Sequence, residues 1–297
     1  MPHSVSPVRL TGAVKRFGAT LALNGLDLEI APGGVTALLG PNGAGKTTAI
    51  GLMLGRLRPD AGEALLFGRD PRDLAARQRI GVMLQSAGLP QQLTVMEQVM
   101  LFAGYYEAAM PAAEAVALAG LGGLERRRCS ALSGGQQRRL QFALAIVGRP
   151  DMLVLDEPSV GLDLEARRAL WTTIRALRDR GATVLLTTHH LEEAEALADR
   201  VVVIDKGRVR ASGSVADMKA LVSGRSIRCL TALDDAALAA LPGVRQVSRS
   251  GRHVVLLSEA GEATMRALLA ADAGVADLQL TGAGLEEAFD ALVAEAA

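Results

Sequence analysis

Short, almost wholly apolar runs alternate with helical stretches along the first two-thirds of the chain. "VTALLG" (35–40), "DMLVLDEP" (151–158), "ATVLLTTHH" (182–190) and "RVVVID" (200–205) each hold a block of aliphatic residues closed by glycine, proline, histidine or acid. Unbroken apolarity over so few residues predicts strands buried on both faces. Between them, residues 164–180 place apolar side chains at 170, 174 and 177, the spacing of a helix with one buried stripe. This alternation predicts an α/β layer with a mainly parallel sheet. Residues 86–131 break the rhythm. They are rich in Ala, Leu, Met and Glu and predict helices with no strand, so a helical subdomain is drawn at about 86–150.

From about residue 222 the pattern changes again. Strand-like stretches at 225–230, 244–249, 253–258 and 275–280, with helices at 234–241 and 261–271, spell β-α-β-β-α-β. That order resembles the ferredoxin-like split βαβ unit. A last helix at 285–296 puts Leu285, Phe289 and Leu292 on one face. The expected division is therefore 1–221, an α/β domain with a helical insertion, and 222–297, a small accessory α+β domain.

Composition narrows the function. At 297 residues and 49% hydrophobic, the chain is long enough for a core domain plus a smaller one. Lys+Arg and Asp+Glu both count 32, a balance that argues against a nucleic-acid binder, and the segment 222–297 has no lysine, six arginines and ten acids. Cys129 and Cys229 are too few and too far apart for a disulfide framework or a metal cluster, and fit a reducing compartment. The N-terminus, MPHSVSPVRL, lacks the charged and apolar regions of a signal peptide. No apolar run approaches the roughly 18–20 residues that span a bilayer, so a membrane role would come through a partner.

Only four lysines occur, and one, Lys46, lies in "GPNGAGKTT" (40–48), which satisfies G-x-x-x-x-G-K-[ST]. Between an expected strand and helix, Gly40, Gly43 and Gly45 let a loop that also holds Pro41, Asn42 and Ala44 curl so that its N–H groups, which Pro41 lacks, face phosphate oxygens, with Lys46 neutralising the β/γ-phosphates and Thr47 ligating Mg²⁺. Thr48 completes the motif. Asp156, ending an apolar strand, is the acid expected to hold the same metal, and Glu157 is placed to orient or deprotonate water. "LSGGQQRRL" (132–140) sets two glycines before a helix bearing two arginines. Glycine is worse than alanine inside a helix by about 1 kcal/mol, so the pair marks a terminus with Ser133 as N-cap. On the residues alone this is an ordinary capped helix or an anion-binding helix end.

With 40–48, 132–136 and 152–158 together, the chain resembles the ATP-binding cassette (ABC) ATPases, a P-loop NTPase fold with a helical insertion. The resemblance spans about 8–215. It implies that Ser133, Gly134, Gly135 and Gln136 grip the γ-phosphate bound to the P-loop of an opposite subunit. It also implies that Gln85 senses Mg²⁺ and the attacking water, that Asp163 of "SVGLD" lies at the dimer seam, and that His189 contacts the γ-phosphate. Phe17 is placed to stack on adenine. On the residues alone Asp163 is equally an N-cap, and Phe17 a core side chain. Ser159-Val160 replaces the more usual Thr-Ser or Thr-Asn pair, and Phe17 stands where tyrosine is frequent. "GLEEAFDAL" (284–292) resembles the closing segment of bacterial exporter ATPases that serve drugs, lipids, polysaccharides or haem. The implied protein binds ATP and Mg²⁺, dimerises, and drives a separate transmembrane permease from the cytoplasmic face of the bacterial membrane. An importer motor, or a soluble ABC ATPase with a non-transport partner, remains the alternative.

Overall fold

The structure, a computed structural model, describes residues 5–85, 88–220, 224–282 and 284–294. The first residues of the expected helical subdomain (86–87), the expected boundary at 221/222 and the last two residues of the expected final helix (295–296) lie outside them.

The chain divides into two compact units. The first opens with β1 (Val8–Phe17), β2 (Thr20–Ile30), β3 (Val35–Leu39), α1 (Lys46–Met53), β4 (Ala61–Leu66), α2 (Leu74–Arg77) and β5 (Ile80–Met83). Helices α3 (Val95–Ala103), α4 (Ala112–Leu118) and α5 (Gly134–Ile146) follow, and then β6 (Met152–Asp156), α6 (Leu164–Asp179), β7 (Thr183–Thr187), α7 (Leu191–Leu197), β8 (Arg200–Asp205) and β9 (Arg208–Gly213).

A six-stranded sheet in the order β5-β6-β7-β3-β8-β9 forms its centre, with the pairs from β5 to β8 parallel. Every residue of β3 and β7 is buried, which is why these strands show no alternation of apolar and charged positions and carry threonine as their one polar residue type. The register pairs Leu38 with Thr187 and Thr187 with Asp156, so the carboxyl ends of β3, β6 and β7 are neighbours. Ligands of open parallel sheets bind at such ends.

A second, antiparallel sheet, β2-β1-β4, was not foreseen in the sequence pattern. Its alternation is interrupted at Gly12, whose φ of 54° coincides with register shifts against both neighbours, so the buried positions slip from Val8 and Leu10 to Ala13. Helix α1 packs against this sheet, and one core joins Leu10, Leu26 and Leu66 to Leu38, Val154 and Leu185. Helices α3, α4 and α5 pack on one another, and α5 also covers β5.

The second unit begins at Gly213, earlier than the expected 222. The reason is α8 (Val215–Ala220): it buries Met218 and packs against α11 (Leu285–Ala294), the last helix of the same unit. Between them lie β10 (Arg225–Leu230), α9 (Asp235–Ala239), β11 (Val244–Ser250), β12 (His253–Ser258), α10 (Gly261–Ala271) and β13 (Ala276–Gly282). The four strands form an antiparallel sheet ordered β11-β12-β10-β13, over a core of Ile227, Cys229, Leu238, Val254, Leu256 and Leu268. Among the described residues no helix is long and apolar enough to cross a membrane.

Candidate active site

The loop from β3 to α1 is built on close backbone approach. A methyl group at Gly40 would collide with the Ile204 carbonyl oxygen, and one at Gly45 (φ 109°) would stand 2.7 Å from the Ala22 oxygen. Ala44 N donates to Pro41 O (3.1 Å) and Gly207 N to Ala44 O (2.9 Å), closing the loop over exposed Asn42 and Gly43. The first-turn amides of α1 have no partner four residues back, and the helix dipole adds positive potential there. Lys46 is half-buried, and its Nζ donates to Gly40 O (2.5 Å) and Pro41 O (3.1 Å). Burial pushes its pKa down, while Glu157 and Asp156 push it back up. The cation therefore sits folded on its own loop, in the field of two carboxylates. Thr47 is exposed and Thr48 half-buried.

Thr47, Gln85 and Asp156, from three different segments, line one pocket of about 290 Å³. Hydroxyl, amide and carboxylate oxygens are the hard donors that suit Mg²⁺, which usually shares its shell with water and phosphate. Among the described residues no group of three His, Cys, Asp or Glu side chains could hold a metal by itself. Thr187 Oγ1 donates to Asp156 Oδ1, orienting the carboxylate.

Glu157 is 8% exposed and has φ 53°, a left-handed conformation that costs a non-glycine residue on the order of 1–3 kcal/mol. Its N–H donates to Thr187 O (3.0 Å), and its Oε2 lies 2.8 Å from His189 Nδ1 and accepts from His189 N (3.4 Å). Glu157 and His189 thus meet directly. His190 packs its ring 4.2 Å from that of His189, and its N–H donates to Thr188 Oγ1.

Like Glu157 and His189, the other expected residues are not among those that line this pocket. Ser133 and Gln136 cap α5 reciprocally: Ser133 N donates to Gln136 Oε1 (3.0 Å) and Gln136 N to Ser133 Oγ (3.3 Å). Ser133 and Gly134 are exposed, and a Cβ at Gly135 would stand 3.1 Å from Gly161 O. Asp163 accepts from Ala166 N (2.8 Å) as the N-cap of α6. Phe17, 49% exposed at the end of β1, is no core side chain, and Lys15 Nζ lies 5.8 Å from its ring centre. Arg138, to which no sequence motif assigns a role, is buried in α5 and bonds the carbonyl of Asp156 and, at 2.5 Å, that of Glu157. The only available signal was its place just after the Ser-Gly-Gly turn.

A parallel sheet whose glycine loop, strand-ending Asp-Glu pair and histidine all follow the carboxyl ends of neighbouring strands, with Thr47 and Asp156 lining one pocket and Glu157 against His189, defines a P-loop nucleoside triphosphatase. Residues 23–160 match the family described as ABC transporter. The chain is 44% identical over 218 residues to the Nod factor export ATP-binding protein I of Burkholderia orbicola, covering 71% of this chain and 72% of that protein. It is 43% identical over 228 residues to the daunorubicin/doxorubicin resistance ATP-binding protein DrrA of Streptomyces peucetius, covering 74% and 69%. A dimeric ATP-binding cassette in a post-hydrolysis state, bound to ADP and Pi, superposes with a TM-score of 0.64 at 27% identity, covering 70% of this chain and 98% of that one. The chain belongs to the ABC transporter family, and it is an ABC ATPase.

Proposed function

We propose that this ATPase is the motor subunit of an exporter: two copies bind two ATP between them and drive a separate membrane permease from the cytoplasmic face. The observation that carries this reading is the convergence of Lys46, Thr47, Gln85, Asp156, Glu157 and His189 around the carboxyl ends of β3, β6 and β7. Two similar proteins named for Nod factor export and for daunorubicin resistance support the direction of transport.

Phosphoryl transfer needs positioning and charge neutralisation more than covalent chemistry. Lys46 exchanges its loop carbonyls for the β/γ-phosphates, and the loop amides with the start of α1 hold the remaining oxygens. Thr47, Asp156 and Gln85 would hold Mg²⁺, which when bound neutralises charge on the phosphate oxygens. Glu157 Oε2, released from His189, orients the water and takes its proton, and the His189 imidazole turns to the γ-phosphate. Phe17 stacks on the adenine. Ser133, Gly134, Gly135 and Gln136 come from the opposite copy, with Asp163 beside them.

Glu157→Gln tests the core of this reading. A general base contributes roughly 10²–10⁴-fold, so turnover in an ATPase assay should fall by at least about 100-fold while a binding titration finds ATP affinity retained. Wild-type turnover in that variant would remove Glu157 from its role.

A further inference from the structure

Arg138 is 8% exposed and makes its charged contacts mainly with backbone rather than with carboxylates. Its Nη1 donates to Leu84 O (2.8 Å) and Gln141 Oε1 (2.9 Å), with Gln85 O at 3.4 Å. Its Nη2 donates to Asp156 O and to Glu157 O (2.5 Å). One planar guanidinium therefore joins the carbonyls beside Gln85 to those of the Asp156-Glu157 pair. Burial pushes its pKa down, and the fields of Asp156, Glu157 and the fully buried Glu193 push it back up, so nearby anions favour its charge.

Glu157 needs such a hold. Its left-handed backbone is unfavourable for a residue with a side chain and persists only where neighbours over-determine it. Thr187 O fixes the residue through its N–H, and Arg138 Nη2 fixes it through its carbonyl. With both ends of the residue held, the direction in which its side chain leaves the backbone is set, and the carboxylate moves only about its side-chain torsions.

We propose that Arg138 is a positioning residue for hydrolysis: it clamps the Glu157 peptide in its left-handed conformation, aims the carboxylate, and ties it to the Gln85 segment and to the helix that begins at Ser133. Lysine cannot replace it, because a single ammonium lacks the two-armed planar geometry that reaches both carbonyl pairs.

This inference rests on Glu157 being the water-orienting group, so the test carries Glu157→Gln alongside. In the full-length chain, Arg138→Lys should lower kcat by about 100-fold, the effect of misplacing a catalytic group by about 1 Å, with ATP affinity unchanged. Arg138→Gln, which keeps an N–H₂ group, should lose activity in the same way and serves if the lysine variant does not fold. Arg138→Lys in a Glu157→Gln background should cause no further loss, because the clamp acts through that carboxylate. Wild-type kcat in a folded Arg138 variant, a matching loss of ATP affinity, or additive losses in the double variant would overturn the clamp. Wild-type turnover in Glu157→Gln would instead overturn the Glu157 assignment, a pattern distinct from a slow Glu157→Gln beside a fast Arg138→Lys.

Discussion

Gly40 has no room for a side chain, because the Ile204 carbonyl occupies the space a methyl would take. Gly40→Ala should lower the melting temperature and weaken ATP binding together, since the loop must move away from β8 to admit it; calorimetry and a nucleotide titration check both. Lys46→Ala should leave the melting temperature near wild type and abolish tight ATP binding, because Nζ is only half-buried and its present partners are two carbonyls of its own loop. These residues were legible in the sequence because a local rule fixes them: glycine where backbones approach closely, lysine at a fixed offset. Arg138 was not. Its partners are carbonyls from distant segments, and a bond to a carbonyl leaves no charged counterpart to find in the sequence. Asp163 and Ser133 were legible as caps, and the structure shows both capping.

In the first unit, the strands that form the middle of the parallel sheet were legible and those of the antiparallel sheet were not, whereas β10 to β13 of the second unit were legible although they bury one face. β3, β6, β7 and β8 announce themselves by continuous aliphatic runs, whereas β1 and β2 carry Gly12 and Gly25 at positive φ and lose their alternation there. Helix α8 was missed as part of the second unit because a six-residue helix holds too little pattern to show which core receives Met218. A tie between helices was equally hidden. Trp171 of α6 donates from Nε1 to Glu193 Oε1 of α7 (3.0 Å), and Glu193 is fully buried. The bond joins the helix that follows Asp163 to the helix that follows His189. Trp171→Phe should lower stability by about 1–3 kcal/mol, the range for leaving a buried polar group unpartnered, as read from denaturant unfolding. The same variant should change turnover less than Glu157→Gln does.

At the scale of the whole molecule, the surfaces around the start of α5 and around Gly161 adjoin, with Ser133 and Gly134 exposed and not among the residues that line the pocket of Thr47, Gln85 and Asp156. Two copies related by a two-fold axis would each offer both surfaces, giving two equal sites in one closed assembly. Trapped triphosphate would then hold the pair together, and its hydrolysis would let them part. The most direct measurement is the solution mass of full-length Glu157→Gln by light scattering, with Mg²⁺ and saturating ATP. A doubling of mass on adding ATP, absent when Lys46→Ala is combined with it, is the expected result. Single-chain mass with one ATP bound per chain, in the presence of its permease as well as alone, would contradict the shared-nucleotide dimer.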